Sequence, residues 1–190
     1  IKLMDRIGII SGGVADEKTQ VNYSDMIGVY KKSKYRAEQI VNKLFCDEGV
    51  PIVIVNPTTP VGPRDIKPTP TGRMILEAAA GRMPAYVETG LNIAHVDDVA
   101  AGHLLAFEKG VLGERYILGG DNLEFSEILE LIAEITGKPG PKFKIPHNVI
   151  LPVGYLTEFF ARTFNLREPF ISVDGIRMAK KKMFFSSNKA

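Results

Sequence analysis

Tyr30 and Lys34 place a phenol and an ammonium four residues apart in the sequence. If this segment is helical, the two side chains lie on the same face, because an α-helix has 3.6 residues per turn. An ammonium close to a phenol favours the phenolate. Such a tyrosine can pass a proton to or from a sugar or ketone oxygen while a hydride moves to or from a nicotinamide, and the lysine can hold the nicotinamide ribose.

The spacing by itself is weak evidence, since the chain has six tyrosines and many lysines. The alternative interpretation is a solvated helix face beside Lys31 and Arg36. The surrounding elements favour the catalytic interpretation. Apolar residues at helical spacing predict a helix from about 25 to 48 that ends at Gly49, and the β-branched run 51–55 is typical of a strand buried on both faces of a parallel sheet.

Five prolines crowd the segment from Asn56 to Thr71 that follows this strand, at positions 57, 60, 63, 68 and 70. Proline fixes φ and lacks a donor N–H, so the sequence predicts a stiff loop without regular structure. A loop that leaves the carboxyl end of a buried parallel strand lies where ligands bind in open α/β sheets.

The rest of the chain alternates short strands with amphipathic helices. We expect helices at 72–80, 96–109, 125–136 and within 145–164, and strands at 85–87, 92–95 and 114–118. Ser126 is the expected N-cap of the helix at 125–136. The pattern predicts an α/β fold: the C-terminal part of a Rossmann-type doubly wound parallel sheet with a small mixed α/β substrate lobe.

Two segments interrupt the alternation of sheet strands and helices, and they predict a second, smaller domain. We assign 1–61 and 91–120 to the remainder of a dinucleotide-binding Rossmann domain. The substrate-binding lobe, truncated, then comprises 62–90 and 121–190. A crevice between two lobes is a usual ligand site.

Composition narrows the possible classes of protein. The chain has 190 residues and a formal net charge of +2, so no global field draws it to nucleic acid. The chain has a single cysteine, Cys46, so an internal disulfide framework is excluded and a reducing, cytoplasmic compartment is expected. We expect the Cys46 thiol to be buried and inert. The three histidines lack metal-ligand spacing, so no metal site is expected. No run of about 18 apolar residues is present, so no transmembrane segment is expected.

Four motifs carry a resemblance to a known family. They are Tyr30-x-x-x-Lys34, the run 55–63 (Val-Asn-Pro-Thr-Thr-Pro-Val-Gly-Pro), the run 95–100 (His-Val-Asp-Asp-Val-Ala) and the run 116–120 (Tyr-Ile-Leu-Gly-Gly). In order and spacing the chain resembles the extended short-chain dehydrogenase/reductases, the NAD-dependent epimerase/dehydratase family. Segments 62–73 and 177–185 further resemble the hopanoid-associated sugar epimerases, which are often labelled dihydroflavonol-4-reductase-like.

The resemblance implies roles by position. Tyr30 would be the catalytic acid/base, and Lys34 would assist it and bind the ribose of NAD or NADP. The segment Val55, Asn56, Pro57 and Thr58 would edge the nicotinamide, and the residues facing a small-molecule substrate would be Arg64, Lys67, Thr71 and Arg73. His95 matches a motif that is chiefly structural, so we expect it to be packed or to cap a helix. Family members often dimerise through the tyrosine helix, so a homodimer is one possible state.

Two departures from the family pattern stand out. Members carry a Gly-x-x-Gly-x-x-Gly loop that binds the pyrophosphate, and none of the 18 glycines here forms it. Members also place a serine or threonine hydroxyl before the tyrosine, at a position that falls near Leu3 here, while Ser11 and Thr19 lie in the loop. We therefore expect a chain truncated at both ends that binds dinucleotide weakly when isolated.

The leading hypothesis is an NAD(P)-dependent, oxidoreductase-type epimerase of a nucleotide- or lipid-linked sugar that works through a transient ketone. The first alternative is a net NADPH-dependent ketone reductase of the dihydroflavonol-4-reductase type. The second alternative is a non-catalytic fragment, which the absent glycine loop and Leu3 would explain.

Overall fold

The computed structural model describes residues 13–163 and 173–190. The chain forms two compact units. The first unit comprises Ile1–Lys67, Leu91–Leu123 and Met183–Ala190, and the second comprises Pro68–Gly90 and Glu124–Lys182. The predicted α/β class is confirmed. The position near Leu3 and Ser11 lie outside the described residues.

Helices and strands alternate along the described chain. In chain order the helices are α1 (Gly28–Glu48), α2 (Pro70–Ala79), α3 (Val96–Lys109), α4 (Phe125–Thr136), α5 (His147–Thr163) and α6 (Val173–Ala179). The strands are β1 (Ile54–Pro57), β2 (Thr59–Val61), β3 (Ala85–Tyr86), β4 (Gly90–His95), β5 (Arg115–Leu118), β6 (Asp121–Glu124) and β7 (Phe143–Lys144). The predicted bounds of α3 and α4 are confirmed to the residue.

Helix α1 begins later than the sequence predicts and ends where predicted. A separate 3₁₀ turn forms at Tyr23–Asp25. Gly28 has a φ of 80°, far from the negative φ of an α-helix, so the helix cannot continue through Gly28 to this turn. Gly49 ends the helix with a φ of 64°, the left-handed conformation that glycine adopts without strain. Its N–H donates to Phe45 O at 3.2 Å.

The predicted buried strand is confirmed as β1, whose four residues are all buried. It pairs in parallel with β5, and Ile54 lies opposite Arg115. Successive strand residues point to opposite faces. On one face Ile54 packs against Val41 of α1, and on the other Leu118 lies against Gly102 of α3. A helix therefore covers each face, as in a doubly wound sheet.

The prediction that the whole proline-rich segment 56–71 lacks regular structure is wrong. Thr59–Val61 forms β2, which pairs in parallel with β4, so that Thr59 lies opposite Ile93. Strand β2 is the edge of a three-stranded sheet of order β2-β4-β6. An edge strand tolerates Pro60, because its missing N–H need not face a neighbouring strand.

The segment Met183–Ala190 packs within the first unit, although the sequence suggests the substrate lobe for it. Ala15 N–H donates to Phe184 O at 2.9 Å, and Ser186 N–H donates to Ala15 O at 2.8 Å. Phe185 completes an apolar cluster with Ala15 and the fully buried Ile117. The assignment of one unit to the dinucleotide and the other to the substrate stays a prediction.

Asn92 joins this segment to the sheet. Its side chain is fully buried and donates to Gly120 O at 2.9 Å, to Asn122 Oδ1 at 2.8 Å and to Phe185 O at 3.3 Å. Its Oδ1 accepts from Gly120 N–H at 2.9 Å. A buried amide that makes this many hydrogen bonds fixes the local backbone, because removing it leaves buried polar groups without partners.

The second unit contains the helices α2, α4, α5 and α6 and a small parallel pair, β3 with β7. Helix α2 packs against α4, and α5 packs against α6. The expected N-cap at Ser126 is wrong, because Glu124 is the N-cap and Ser126 lies inside the first turn of α4. Ser126 N–H donates instead to Glu88 Oε1 at 3.2 Å.

Cys46 is exposed, which corrects the prediction of a buried thiol. It lies five positions after the buried Val41, about 140° around α1, and so points away from the sheet. Across residues 13–163 and 173–190, no helix is both long and apolar enough to cross a membrane. The same residues contain no cluster of His, Cys, Asp or Glu side chains that could hold a metal ion.

Glu88 makes the stability of the second unit dependent on pH. Burial acts to raise the pKa of its carboxyl, but Lys144 Nζ at 3.0 Å and the Ser126 amide outweigh burial and hold the pKa below its usual value of 4.5. A carboxyl whose pKa is lowered by folding stabilises the fold above the unfolded-state pKa, and that stabilisation is lost as the pH falls through the folded-state pKa.

We therefore expect Glu88→Gln to lower the unfolding temperature at neutral pH and to differ less from the parent near pH ~3. Thermal unfolding followed by circular dichroism across this pH range measures the difference. The matched control is Glu134→Gln, on the exposed face of α4. If the difference in unfolding temperature between the parent and Glu88→Gln stayed constant with pH, the lowered pKa of Glu88 would be contradicted.

Candidate functional site

Helix α1 brings Tyr30 and Lys34 together. Lys34 Nζ lies 5.5 Å from the centroid of the Tyr30 ring, and Tyr30 is 61% exposed. A cation over an aromatic face is held there by the quadrupole of the ring. Much of the Tyr30 residue is thus exposed, with an ammonium on the same helix face.

A second aromatic and basic cluster surrounds the entry to α1, and the sequence analysis missed it. The Tyr23 ring lies 4.9 Å from the Arg36 guanidinium and 5.7 Å from Lys32 Nζ, and it makes an edge-to-face contact with Tyr35 at 5.9 Å. These contacts hold the 3₁₀ turn against the first turns of the helix. The signal in the sequence is basic and aromatic residues at i, i+3 and i+4 on α1.

The carboxyl end of β1 is buried and carries two polar side chains, Asn56 and Thr58. Val55, Asn56, Pro57 and Thr58 are all at most 5% exposed. Thr58 N–H donates to Leu118 O at 3.1 Å, and Thr58 Oγ1 lies 3.4 Å from the same oxygen. Open parallel sheets bind ligands at the carboxyl ends of their strands, and contact of this segment with a nicotinamide stays a prediction.

The four expected substrate residues fall in both units. Arg64 and Lys67 are exposed on the loop that follows β2, and Arg64 adopts a φ of 70°. Thr71 and Arg73 lie in the first turn of α2, where Thr69 Oγ1 accepts from Gly72 N–H at 3.1 Å as the N-cap. Their roles in binding substrate stay predictions.

His95 caps α3, which agrees with the expectation for this residue. Its Nδ1 accepts from Asp97 N–H at 3.2 Å, and the first turn of the helix also contains Asp98. Carboxylates in a first turn interact favourably with the positive end of the helix dipole. Gly62 lies directly against Val96 in this turn, where a side chain on residue 62 would collide. The His-Val-Asp-Asp motif thus orders the backbone beside β2.

The sequence profile of the NAD dependent epimerase/dehydratase family matches residues 11–119, more than half of the chain. The chain belongs to this family. The family is NAD dependent, which confirms the cofactor class, NAD or NADP, that the sequence implies.

Three proteins illustrate the relationship. A protein of Synechocystis sp., named provisionally as a dihydroflavonol 4-reductase, is 44% identical over 97% of this chain and 54% of its own length. The crystal structure of gox2253 is 52% identical with a TM-score of 0.84 and covers 100% of this chain and 57% of that one. A nucleoside-diphosphate-sugar epimerase from Pseudomonas aeruginosa, PA4631, is 26% identical with a TM-score of 0.68, over 90% of this chain and 59% of that one. The chain spans about half the length of the curated relatives it matches.

The capping role of His95 predicts that its side chain contributes to the stability of the fold. His95→Ala should lower the free energy of unfolding by about 1 kcal/mol, because it removes the N-cap acceptor of α3. His95→Asn restores a side-chain acceptor and should recover most of that loss. Chemical denaturation measures both values. A His95→Asn variant that is as unstable as His95→Ala would contradict capping through the side chain.

Proposed function

We propose that this chain supplies the acid–base machinery of an NAD(P)-dependent sugar epimerase that acts on a nucleotide- or lipid-linked sugar. The observation that carries the proposal is the position of Lys34 Nζ, 5.5 Å from the ring of an exposed Tyr30. Family membership supports an NAD-dependent oxidoreductase, and the similarity to a nucleoside-diphosphate-sugar epimerase supports a sugar substrate.

The chemistry requires one proton carrier that works in both directions. The Tyr30 phenolate takes the proton of a sugar hydroxyl while the carbinol carbon loses a hydride, and the product is a ketone. The phenol then returns the proton when the hydride is delivered to the opposite face of that ketone, so the configuration at carbon is inverted. A nicotinamide held by Lys34 and by Val55–Thr58 would supply the hydride chemistry. Lys34 keeps a positive charge beside the phenolate, which stabilises it.

The end of β1 would hold the reacting ring in place. The backbone of Val55–Thr58 is buried and tied to β5, so a nicotinamide resting on it would meet a fixed surface. Pre-organised contact of this kind lowers the entropic cost of bringing hydride and carbon together.

Arg64 and Lys67 would recognise the phosphate groups of the substrate. Both are exposed cations, and a nucleotide- or lipid-linked sugar has phosphate groups that pair with such side chains. Thr71 and Arg73 are the second set proposed to contact substrate. A cytoplasmic location and a homodimeric state remain predictions of this proposal.

The second candidate function is a net NADPH-dependent ketone reductase. The observation that favours it is the 44% identity to the Synechocystis protein named provisionally as a dihydroflavonol 4-reductase. In this reaction Tyr30 would act in one direction only, donating its proton to the oxygen of the ketone as the hydride arrives.

Tyr30→Phe removes the ionisable hydroxyl and keeps the ring under Lys34. In the protein expressed from the complete gene, we expect kcat to fall by about a thousandfold, because the proton carrier is lost, with the dissociation constant of NAD(P) changed less than about twofold. Steady-state turnover and calorimetry measure the two effects. Tyr35→Phe, on the same helix, is the matched control. Turnover by Tyr30→Phe at the parental rate would remove Tyr30 from the mechanism.

Net cofactor consumption separates the two candidate functions. An epimerase returns the hydride to its substrate, so we expect the ratio of NAD(P)H consumed to product formed to be far below one. A reductase consumes one NADPH for each ketone reduced. Absorbance of the reduced nicotinamide, measured beside product configuration by NMR, gives this ratio for nucleoside-diphosphate hexoses and for a dihydroflavonol. Stoichiometric oxidation of NADPH would establish the reductase.

A further inference from the structure

Glu38 is the most deeply buried charged side chain among the described residues of α1. It is 0% exposed, and its Oε1 lies 2.7 Å from Nη2 of Arg115, whose side chain is 22% exposed. Glutamate is almost never fully buried unless it is paired. Neither residue belongs to a motif in the sequence.

Glu38 continues the row formed by the two proposed catalytic side chains. It follows Lys34 by four residues and Tyr30 by eight, so the three lie along one inclined ridge of the helix. Each step of four residues advances about 6 Å along the axis and turns about 40°. This turn takes the row from the exposed Tyr30 to the buried Glu38.

Arg115 belongs to the strand pair that would hold the nicotinamide. It begins β5 and lies opposite Ile54 of β1. Strand β1 continues to Pro57, and the amide of Thr58 donates to Leu118 at the other end of β5. The ion pair therefore joins α1, which carries Tyr30 and Lys34, directly to β5. Strand β5 in turn pairs with β1, which leads into Val55–Thr58.

Stability alone does not account for this ion pair. Burying two charges costs desolvation energy, and a well-packed apolar pair in the same place is often as stable or more stable. Helix α1 already has an apolar contact with the sheet, where Ala37 and Val41 pack with Ile52 and Ile54. Apolar contact is non-directional, so it resists separation more than sliding or rotation. A short charge-assisted hydrogen bond is directional and resists both.

We propose that Glu38 and Arg115 are positioning residues that set the height and rotation of α1, and hence the place of the Tyr30 and Lys34 side chains relative to the end of β1. The proposal rests on the proposed function of Tyr30. A misplacement of about 1 Å at a reacting centre can lower a rate by about a hundredfold, so such a fixed contact matters for turnover.

The test replaces the ion pair with an apolar pair. In the protein from the complete gene, Glu38→Leu combined with Arg115→Leu should unfold at the parental temperature or above it. Its kcat should fall at least about tenfold, with KM for sugar and for NAD(P) within about twofold. Nuclear Overhauser contacts between Val41 of α1 and Ile54 of β1 should change in intensity, because the helix shifts against the strand. Glu38→Gln, which keeps the shape and removes the charge, should show the same loss of kcat.

Glu114→Gln is the matched control, because it removes the neighbouring ion pair to Lys189 without touching α1. It should keep the parental kcat and the parental Val41–Ile54 contacts. Three results would each overturn a positioning role that is separate from stability. They are a parental kcat in the leucine pair, an equal loss of kcat in Glu114→Gln, and failure of both Glu38 variants to fold. Tyr30→Phe in the same assay separates the two proposals: if it is inactive while the leucine pair is fully active, only the positioning role falls.

Discussion

The candidate chemistry depends on one constraint, which is the fixed position of α1 against the parallel strands β1 and β5. A phenol and an ammonium one turn apart meet on any helix, but they serve a reaction only if the helix stands at a fixed place beside a ligand-binding strand end. Val41 against Ile54 supplies the area of contact, and the Glu38–Arg115 pair supplies direction. Under this proposal, the exposed Tyr30 keeps a fixed place relative to the buried end of β1.

Much of this arrangement could be predicted because local signals agreed with the fold. Helices α3 and α4 have strong periodicity, acidic first turns and glycine ends, and their predicted bounds are confirmed. The run that becomes β1 is short and β-branched, and it is buried on both faces as expected. The Tyr30–Lys34 contact follows from helical geometry alone, so a spacing of four sufficed to predict it.

The features that the sequence analysis missed depend on partners distant in the chain. Strand β2 forms within a proline-rich stretch because β4 supplies the neighbouring strand, which no local signal shows. Glu38 is buried because Arg115, far along the chain, meets it, whereas a lone glutamate on a helix favours a solvated face. Ser126 follows a strand that runs on to Glu124, so the helix starts earlier than the serine suggested.

The pairing of Ala15 with Phe184, Phe185 and Ser186 has a consequence for biosynthesis. Residues 15 and 184–186 are far apart in the chain, so the contact between them is of very long range. Ile117 packs against Phe185, so it lacks this cover until residue 185 has been synthesised. Until then the nascent chain exposes apolar surface at Ile117, the kind of surface that chaperones bind.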